Sequence, residues 1–336
     1  MIVEYLKLAR SFNAVLTGIS PVMGAIAMQE YNIAHLFLLF LVGFLGHTYG
    51  FVLNDIMDYR IDRFSPDLGD RPLVSGTISV RNAWFFASSS IIAALTIAFY
   101  ISFISQRFFS LFILITSAFF ITLYDLVSKR FPLTDVFVAA GIFFLILYGA
   151  ATVVDDVGQI NVLTWIVCIL GSTQVLFMQL IAGGLKDIEN DFRKGAKTLA
   201  VKMGVRVVDG ALRVSLSFKI LAYMIQLVDV VIVFLPFFVV WGLNDFSFLR
   251  CFQWVVLLLI GLFMFVLSHK LLSMRHFERD RARRLIGSHY VINFALVPVM
   301  LMSLNPWAGV LVFFPAVGFI LSNLILHGTF LQPKTM

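Results

Sequence analysis

The chain has 336 residues, of which 60% are apolar and 13% are charged, and its formal net charge is +6 at pH 7. A soluble domain of this length does not need so much apolar surface, whereas a protein that crosses the membrane several times does. The basic residues stand in short segments between apolar runs, so the positive charge does not indicate a nucleic-acid-binding protein. The composition therefore predicts one integral membrane domain over residues 1–336.

Apolar runs long enough to cross a bilayer follow one another along the chain. They occupy about 12–29, 34–54, 82–104, 107–126, 134–154, 161–184, 211–241, 250–272, 287–303 and 306–328. The count is nine or ten, because Asn305-Pro306 either separates two short helices or kinks the last one. We expect an all-α protein with nine or ten transmembrane helices.

Lysine and arginine are concentrated in alternate segments between these runs. The basic segments hold Lys7 and Arg10, then Arg60 to Arg81, Lys129-Arg130, Lys186 to Arg213, and Lys270 to Arg284. Cytoplasmic loops carry the excess of Lys and Arg in membrane proteins. We therefore predict a multi-pass protein of the cell membrane with its N-terminus and these segments in the cytoplasm.

An acidic motif, NDIMDYRID from Asn54 to Asp62, follows the second run. On a helix, Asp55, Asp58 and Asp62 would lie within about 60° of one another. Three carboxylates on one face repel each other unless a divalent cation, or a cation carrying a polyphosphate, lies between them. The motif predicts a metal site at the cytoplasmic end of the second helix.

A second acidic motif, KDIENDFRKGAKTLAV from Lys186 to Val201, follows the sixth run. Asp187 and Asp191 are four residues apart and share a helix face. Four predicted helices separate the two motifs, so both face the same side of the membrane. This spacing favours a parallel duplication with halves at about 5–130 and 131–272, followed by C-terminal helices over 286–328, that brings two acidic sites together across a cavity.

Two acidic clusters with basic neighbours at one membrane face indicate a diphosphate held through Mg²⁺, because carboxylates bind the metals and the metals bridge phosphate oxygens. An apolar tail on that diphosphate would lie among the helices, where aromatic faces could stabilise an allylic cation. The cations available to neutralise the phosphates are Arg71, Lys129, Arg130, Arg193, Lys194 and Lys197.

These motifs resemble the two signatures of the UbiA-type intramembrane prenyltransferases. Asn54-Asp55-x-x-Asp58-x-x-x-Asp62 followed by Arg71-Pro72-Leu73-Val74-Ser75-Gly76 is similar to the first. Lys186-Asp187-x-x-x-Asp191, with Gly195 and Lys197-Thr198-Leu199, is similar to the second. Arg10, Asn13, and Tyr124 with Lys129 are similar to weaker positions of the family, and the resemblance covers about residues 5 to 300.

The resemblance implies a nine-helix bundle around a central cavity with a cytoplasmic cap made by the two acidic motifs. It also implies Mg²⁺-dependent transfer of a prenyl group, geranylgeranyl or similar, from a prenyl diphosphate to a lipid or aromatic acceptor. Asn54, Asp55, Asp58 and Asp62 would hold one metal with the diphosphate, and Asp187 and Asp191 the other. Of the second pair, one carboxylate would assist deprotonation of the acceptor.

The remaining site assignments concern the diphosphate itself. Arg71 and Lys129 would neutralise it as it leaves, which makes them catalytic residues together with Asp187 and Asp191. Prenyl diphosphate binding is expected from Asn13, Asn54, Arg71, Tyr124, Lys129, Arg130 and Lys197.

The acceptor is less well defined by the sequence. The opening YLKLARSFN and the wording NDxMDYxID are similar to archaeal-type members that prenylate geranylgeranylglyceryl phosphate, and aromatic quinone precursors are the alternative. An ion-coupled transporter is a second class, although its acids would be expected near the membrane midplane. A phosphoalcohol transferase would begin its motif with Asp-Gly-x-x-Ala-Arg, which is absent here. A non-catalytic protein that binds a prenyl lipid is a further alternative.

Two other charged groups lie outside the motifs. We interpret Asp125 and Asp135 as solvated or salt-bridged loop acids. The basic stretch from Arg275 to Arg284 is interpreted as a cytoplasmic loop that contacts anionic lipid headgroups.

Overall fold

The computed structural model describes residues 1–64, 68–128, 131–242 and 247–330, except for the side chains of Ile61, Asn190, Arg193 and Lys194. Helices dominate this part of the chain, as expected from its apolar runs. In chain order they are α1 Ile2–Leu8, α2 Ser11–Ala27, α3 Ile33–Asp62, α4 Val80–Ser105, α5 Phe109–Val127, α6 Asp135–Ala151, α7 Val162–Phe177, α8 Gly184–Lys186, α9 Ile188–Lys194, α10 Leu199–Lys202, α11 Leu216–Val239, α12 Phe248–Leu272, α13 Arg279–Phe294, α14 Leu296–Leu301 and α15 Phe313–His327.

Within the described ranges, eight helical segments are long and apolar enough to cross a membrane, and two shorter apolar helices accompany them. The eight are Ile33–Arg60, Val80–Ser105, Phe109–Val127, Val162–Lys186, Leu216–Val239, Phe248–Leu272, Arg279–Leu301 and Pro306–His327, and the shorter two are Ser11–Ala27 and Asp135–Ala151. The prediction of an all-α multi-pass membrane protein is confirmed. Asn305-Pro306 separates two helices, because α14 ends at Leu301 and a 3₁₀ helix begins at Pro306.

The predicted run at 211–241 is wrong at its start, since residues 211–213 form a strand. Strands β1 (Arg206–Val208) and β2 (Ala211–Arg213) make a two-stranded antiparallel hairpin. Gly210, at a φ of +73°, supplies the left-handed conformation that its turn needs. The apolar residues of 211–213 belong to this hairpin, and α11 begins only at Leu216, after the N-cap Ser215.

Helices α2 and α6 cross at the centre of the bundle with their backbones in close contact. A Cβ atom added to Gly149 would lie 1.8 Å from the carbonyl oxygen of Pro21, and one added to Gly24 would lie 1.9 Å from that of Ile146. Small residues allow this approach, which is how helices commonly associate in membranes. The crossing positions α2, and with it the N-terminal residues that reach the site described below.

We expect Gly149→Ala to destabilise the bundle by about 1–3 kcal/mol, because two backbones must separate to accept one methyl group. The thermal unfolding midpoint of the purified protein in detergent should fall by several degrees. Gly46→Ala is the matched control, since nothing lies within 4 Å of a Cβ atom built there. An unchanged midpoint for Gly149→Ala would contradict the close crossing.

Candidate active site

The first acidic motif is the last part of a helix. The predicted second span ended at residue 54, but α3 continues to Asp62. Neither glycine nor proline interrupts the motif, and its buried Ile56 packs in a small core with Leu73 and Ile78 of the following loop. The helical face therefore continues into the site, and it presents Asp58 and Asp62 to a large cavity.

A sharp break between α1 and α2 brings Arg10 to the motif. Arg10 has a φ of 46° and a ψ of 49°, a left-handed conformation that is uncommon for a residue other than glycine. Its Nη2 donates to Oδ1 of Asp55 at 2.7 Å, and its guanidinium lies 4.9 Å from the ring centre of Phe51. Backbone strain of this kind is concentrated at functional sites.

Arg71, which follows α3 in the chain, binds two carboxylates of the motif at once. Its Nη1 donates to Oδ2 of Asp62 at 2.5 Å and lies 3.5 Å from Oδ1 of Asp55. Burial alone would lower the pKa of this guanidinium, but the charges of Asp55 and Asp62, then Asp187 and Asp58, raise it. Arg71 is therefore a permanent cation, and carboxylates of both acidic motifs lie close enough to stabilise its charge.

The second motif follows an irregular stretch of helix. After α7 the chain forms a π-helix at Met178–Gly183, and regular helix then breaks at Asp187 before α9. Extra-wide turns of this kind are frequent at functional sites. Gly195, with a φ of 65°, ends α9 in the left-handed conformation that glycine accepts most readily.

Asp187 lies between two cations. Nζ of Lys186 is 3.3 Å from one of its carboxylate oxygens, and Nη2 of Arg279 donates to the other at 3.2 Å. Burial alone would raise the pKa of the Asp187 carboxyl, but the charges of Lys186, Arg279 and Arg71 hold it below its usual value. Asp187 is therefore ionised at neutral pH.

One cavity of about 800 Å³ joins the two motifs. Its polar end is lined by charged and amide side chains of both motifs and of α2, α5 and α13. Most of the rest is lined by apolar side chains, with a few polar ones such as Thr17, Ser20 and Gln174 among them; the apolar ones include Met23, Val42, Leu114, Ile142, Leu145, Ile146, Val167 and Val297. A ligand with an anionic head and a long apolar tail fits this division.

Most of the residues predicted for the site line this cavity. They are Asn13, Asn54, Asp58, Asp62, Arg71, Tyr124, Asp187, Asp191 and Lys197. Asp55 does not appear in the cavity wall: it is buried behind the wall in its ion pairs with Arg10 and Arg71. The partners of Asp55 in the structure are therefore these two arginines, and the metal ligation expected for Asp55 from the sequence stays a prediction. Lys129 and Arg130 lie outside the described residues.

The interpretation of Asp125 is wrong, and that of Arg275–Arg284 as a loop is wrong from Arg279 onward, while contact of its exposed arginines with lipid headgroups stays a prediction. Asp125 is a buried residue of α5, not a solvated loop acid, and its Oδ1 accepts a hydrogen bond from Nδ2 of Asn54 at 3.2 Å. Arg279, from the stretch interpreted as a loop for lipid headgroups, begins α13 and lines the cavity. Sequence spacing could not have found either, because both depend on helix packing between distant parts of the chain.

The donor atoms at the polar end suit a hard cation such as Mg²⁺, which prefers carboxylate and amide oxygens. Among the described residues, no group of three or more His, Cys, Asp or Glu side chains forms a ready metal cage. Mg²⁺ is commonly held by one or two carboxylates together with substrate phosphates. The residues present therefore fit a metal that binds along with a diphosphate.

The sequence is similar to that of known membrane proteins. The family model described as the UbiA prenyltransferase family matches residues 15–286. The chain is 32% identical over 208 residues to digeranylgeranylglyceryl phosphate synthase of Thermococcus gammatolerans, covering 60% of this chain and 70% of that protein. It is 30% identical over 205 residues to the protein of the same name from Pyrococcus furiosus, covering 60% and 69%.

Solved structures share the fold at lower sequence identity. The apo structure of a UbiA homolog from Aeropyrum pernix K1 is similar with a TM-score of 0.67 and 15% identity, covering 88% of this chain and 98% of that one. A UbiA homolog from Archaeoglobus fulgidus, bound to GPP and Mg²⁺, is similar with a TM-score of 0.60 and 17% identity, covering 88% and 99%.

Proposed function

We propose that this chain, which belongs to the UbiA prenyltransferase family, transfers a prenyl group from a prenyl diphosphate to a glycerol-phosphate lipid within the membrane, with Mg²⁺ as its cofactor. The observation that carries this proposal is the cavity with both acidic motifs at one end and mostly apolar helix faces along the rest. The A. fulgidus homolog bound to GPP and Mg²⁺ supports the donor and the metal.

The reaction breaks the bond between the first prenyl carbon and the diphosphate oxygen, and the electron pair leaves with the diphosphate. A new carbon–oxygen bond forms to the acceptor hydroxyl, whose proton passes to a carboxylate of the second motif. Arg71 stabilises the negative charge that develops on the leaving group, because it is a fixed cation in a site shielded from water. The apolar walls keep water from the allylic centre and so prevent hydrolysis.

We assign Asn54, Asp58 and Asp62 to one metal and Asp187 and Asp191 to the other. Bound Mg²⁺ would neutralise part of the diphosphate charge. Asp55, buried with Arg10 and Arg71, holds those two cations in place. The basic segments include both motifs, and the positive-inside rule supports a cytoplasmic location for this end of the cavity and for the N-terminus.

The acceptor is inferred from the relatives. Both the T. gammatolerans and the P. furiosus proteins are named digeranylgeranylglyceryl phosphate synthase, and such a product is a glycerol-phosphate lipid that carries two prenyl ethers. We therefore propose geranylgeranylglyceryl phosphate, or a lipid of the same class, as the acceptor and geranylgeranyl diphosphate as the donor.

A panel of acceptors tests this assignment. Purified protein with Mg²⁺ and geranylgeranyl diphosphate should release diphosphate with geranylgeranylglyceryl phosphate and give a product heavier by one prenyl group in place of a proton. Release that depends on an aromatic quinone precursor instead would contradict the acceptor. Absence of turnover with every acceptor would favour a non-catalytic prenyl-lipid-binding protein.

Removal of the metal gives a separate prediction. A chelator should reduce diphosphate release to the uncatalysed rate, because the negative charge of the leaving diphosphate is then no longer neutralised by the metal. Excess Mg²⁺ should restore the activity. Thermal unfolding with and without the chelator shows whether the lost activity reflects the chemistry or unfolding of the protein. Full activity after chelation would contradict the metal assignment.

A further inference from the structure

We infer that Arg279 binds the phosphate of the acceptor lipid, and that the wall formed by α13 and α14 holds the acceptor while the two acidic motifs hold the donor. This inference rests on the proposed function and assigns a binding site to one of its substrates. Arg279 belongs to neither acidic motif.

The segment before Arg279 is held by the β-hairpin. Leu212 N–H donates to the carbonyl of Arg275 at 2.9 Å, and Phe277 N–H donates to the carbonyl of Gly210 at 2.9 Å. Ala211 and His276 form an antiparallel bridge between the two segments. These backbone bonds fix the start of α13, so Arg279 projects from a rigid support into the cavity.

The cavity lining formed by α13 and α14 has a charged end and an apolar end, as a phospholipid has. Arg279 lies at the polar end, and Tyr290, Asn293, Phe294 and Val297 line the cavity farther along the same stretch of chain. An acceptor with a phosphate head and one prenyl chain would place the phosphate at Arg279 and the chain along Phe294 and Val297. The donor diphosphate, held between α3 and α9, would face it across the cavity.

Two cations contact the single carboxylate of Asp187, Lys186 at 3.3 Å and Arg279 at 3.2 Å. Lys186, Arg279 and Arg71 all act on Asp187, and one guanidinium has five N–H donors, which suit bidentate contact with a phosphate. When the Asp187 carboxylate binds a metal with the donor, an acceptor phosphate can take the place of that carboxylate in the hydrogen bond with Arg279. Arg279 would thus be occupied by Asp187 in the empty site and by phosphate in the loaded one.

The test compares geranylgeranylglyceryl phosphate with geranylgeranylglycerol, the same lipid without phosphate, at saturating geranylgeranyl diphosphate. The wild-type protein should prefer the phosphate form by about tenfold to a hundredfold in kcat/KM, the range expected for charge-assisted hydrogen bonds. Arg279→Gln should bring this ratio close to one, mainly by raising KM for the phosphate form, and Arg279→Lys should restore part of it.

Arg281→Ala is the matched control, because Arg281 is exposed two residues along and does not line the cavity. It should keep the wild-type ratio. Affinity for the donor, measured with a non-reactive prenyl diphosphate analogue and Mg²⁺, separates acceptor binding from an indirect effect through Asp187. Arg279→Gln should change the acceptor ratio far more than the donor affinity.

Three results would overturn the inference. The first is a preserved ratio in Arg279→Gln, and the second is a loss of donor affinity as large as the loss of acceptor preference. The third is a wild-type protein that uses both lipids equally well. Wild-type protein that turns over neither lipid would instead overturn the proposed acceptor, and the phosphate site with it.

Discussion

Asp58→Ala should lower the rate of prenyl transfer by at least about 10²- to 10³-fold, the loss typical when one preorganised electrostatic contact to a developing charge is removed. Asp58 lies on the cavity face of α3 and is partly exposed to it. Its loss removes a metal ligand without emptying the core, so the thermal midpoint should stay near the wild-type value. Diphosphate release by the purified protein with Mg²⁺ measures the rate.

Asp70→Ala is the control for this substitution. Asp70 carries the same negative charge as Asp58, but it is exposed and does not line the cavity. We expect wild-type turnover from it. A wild-type rate for Asp58→Ala would contradict the assignment of the first motif to the metal and the diphosphate.

Arg71→Ala should reduce both activity and stability. The substitution removes the cation at the leaving group, and it leaves Asp62 and Asp55 buried at 4% and 5% exposure without one of their partners. Breaking a buried ion pair from one side costs about 3–5 kcal/mol, because a charge is left uncompensated. We expect turnover to fall at least about a hundredfold and the thermal midpoint to fall clearly, as measured by diphosphate release and thermal unfolding.

A second substitution separates the two effects. Adding Asp62→Ala to Arg71→Ala removes one of the buried charges, so stability should partly return while activity stays lost. Arg81→Ala, an exposed arginine at the start of α4, should change neither property. If Arg71→Ala unfolds at the wild-type temperature, its pairing with Asp62 does not stabilise the protein as described.

The local features of the site could be predicted from sequence. Asp58 and Asp62 share a helix face because helical periodicity fixes it, and the structure brings both into the cavity with Asp187 and Asp191. The span boundaries were less accurate. The second predicted span ends at residue 54 because polar residues follow it, whereas α3 continues as a helix to Asp62.

The features that could not be predicted depend on long-range packing. Arg279 reaches Asp187 from α13, and the chain before α13 is hydrogen-bonded to the hairpin. Asp125 is buried where α5 packs beside Asn54. Asp55 shares the periodicity of the other acids, but the left-handed turn at Arg10 converts it into an ion-pair partner. The division into two repeated halves stays a prediction.

The measurement that tests the central claim most directly is the affinity of a non-reactive prenyl diphosphate analogue, determined by calorimetry with Mg²⁺ for wild type, Asp58→Ala, Asp187→Ala and the double variant. If both acidic motifs bind one diphosphate, each single substitution should weaken binding by about tenfold or more, and the analogue should stabilise the wild-type protein against heat. Wild-type affinity in either single variant would contradict a shared site.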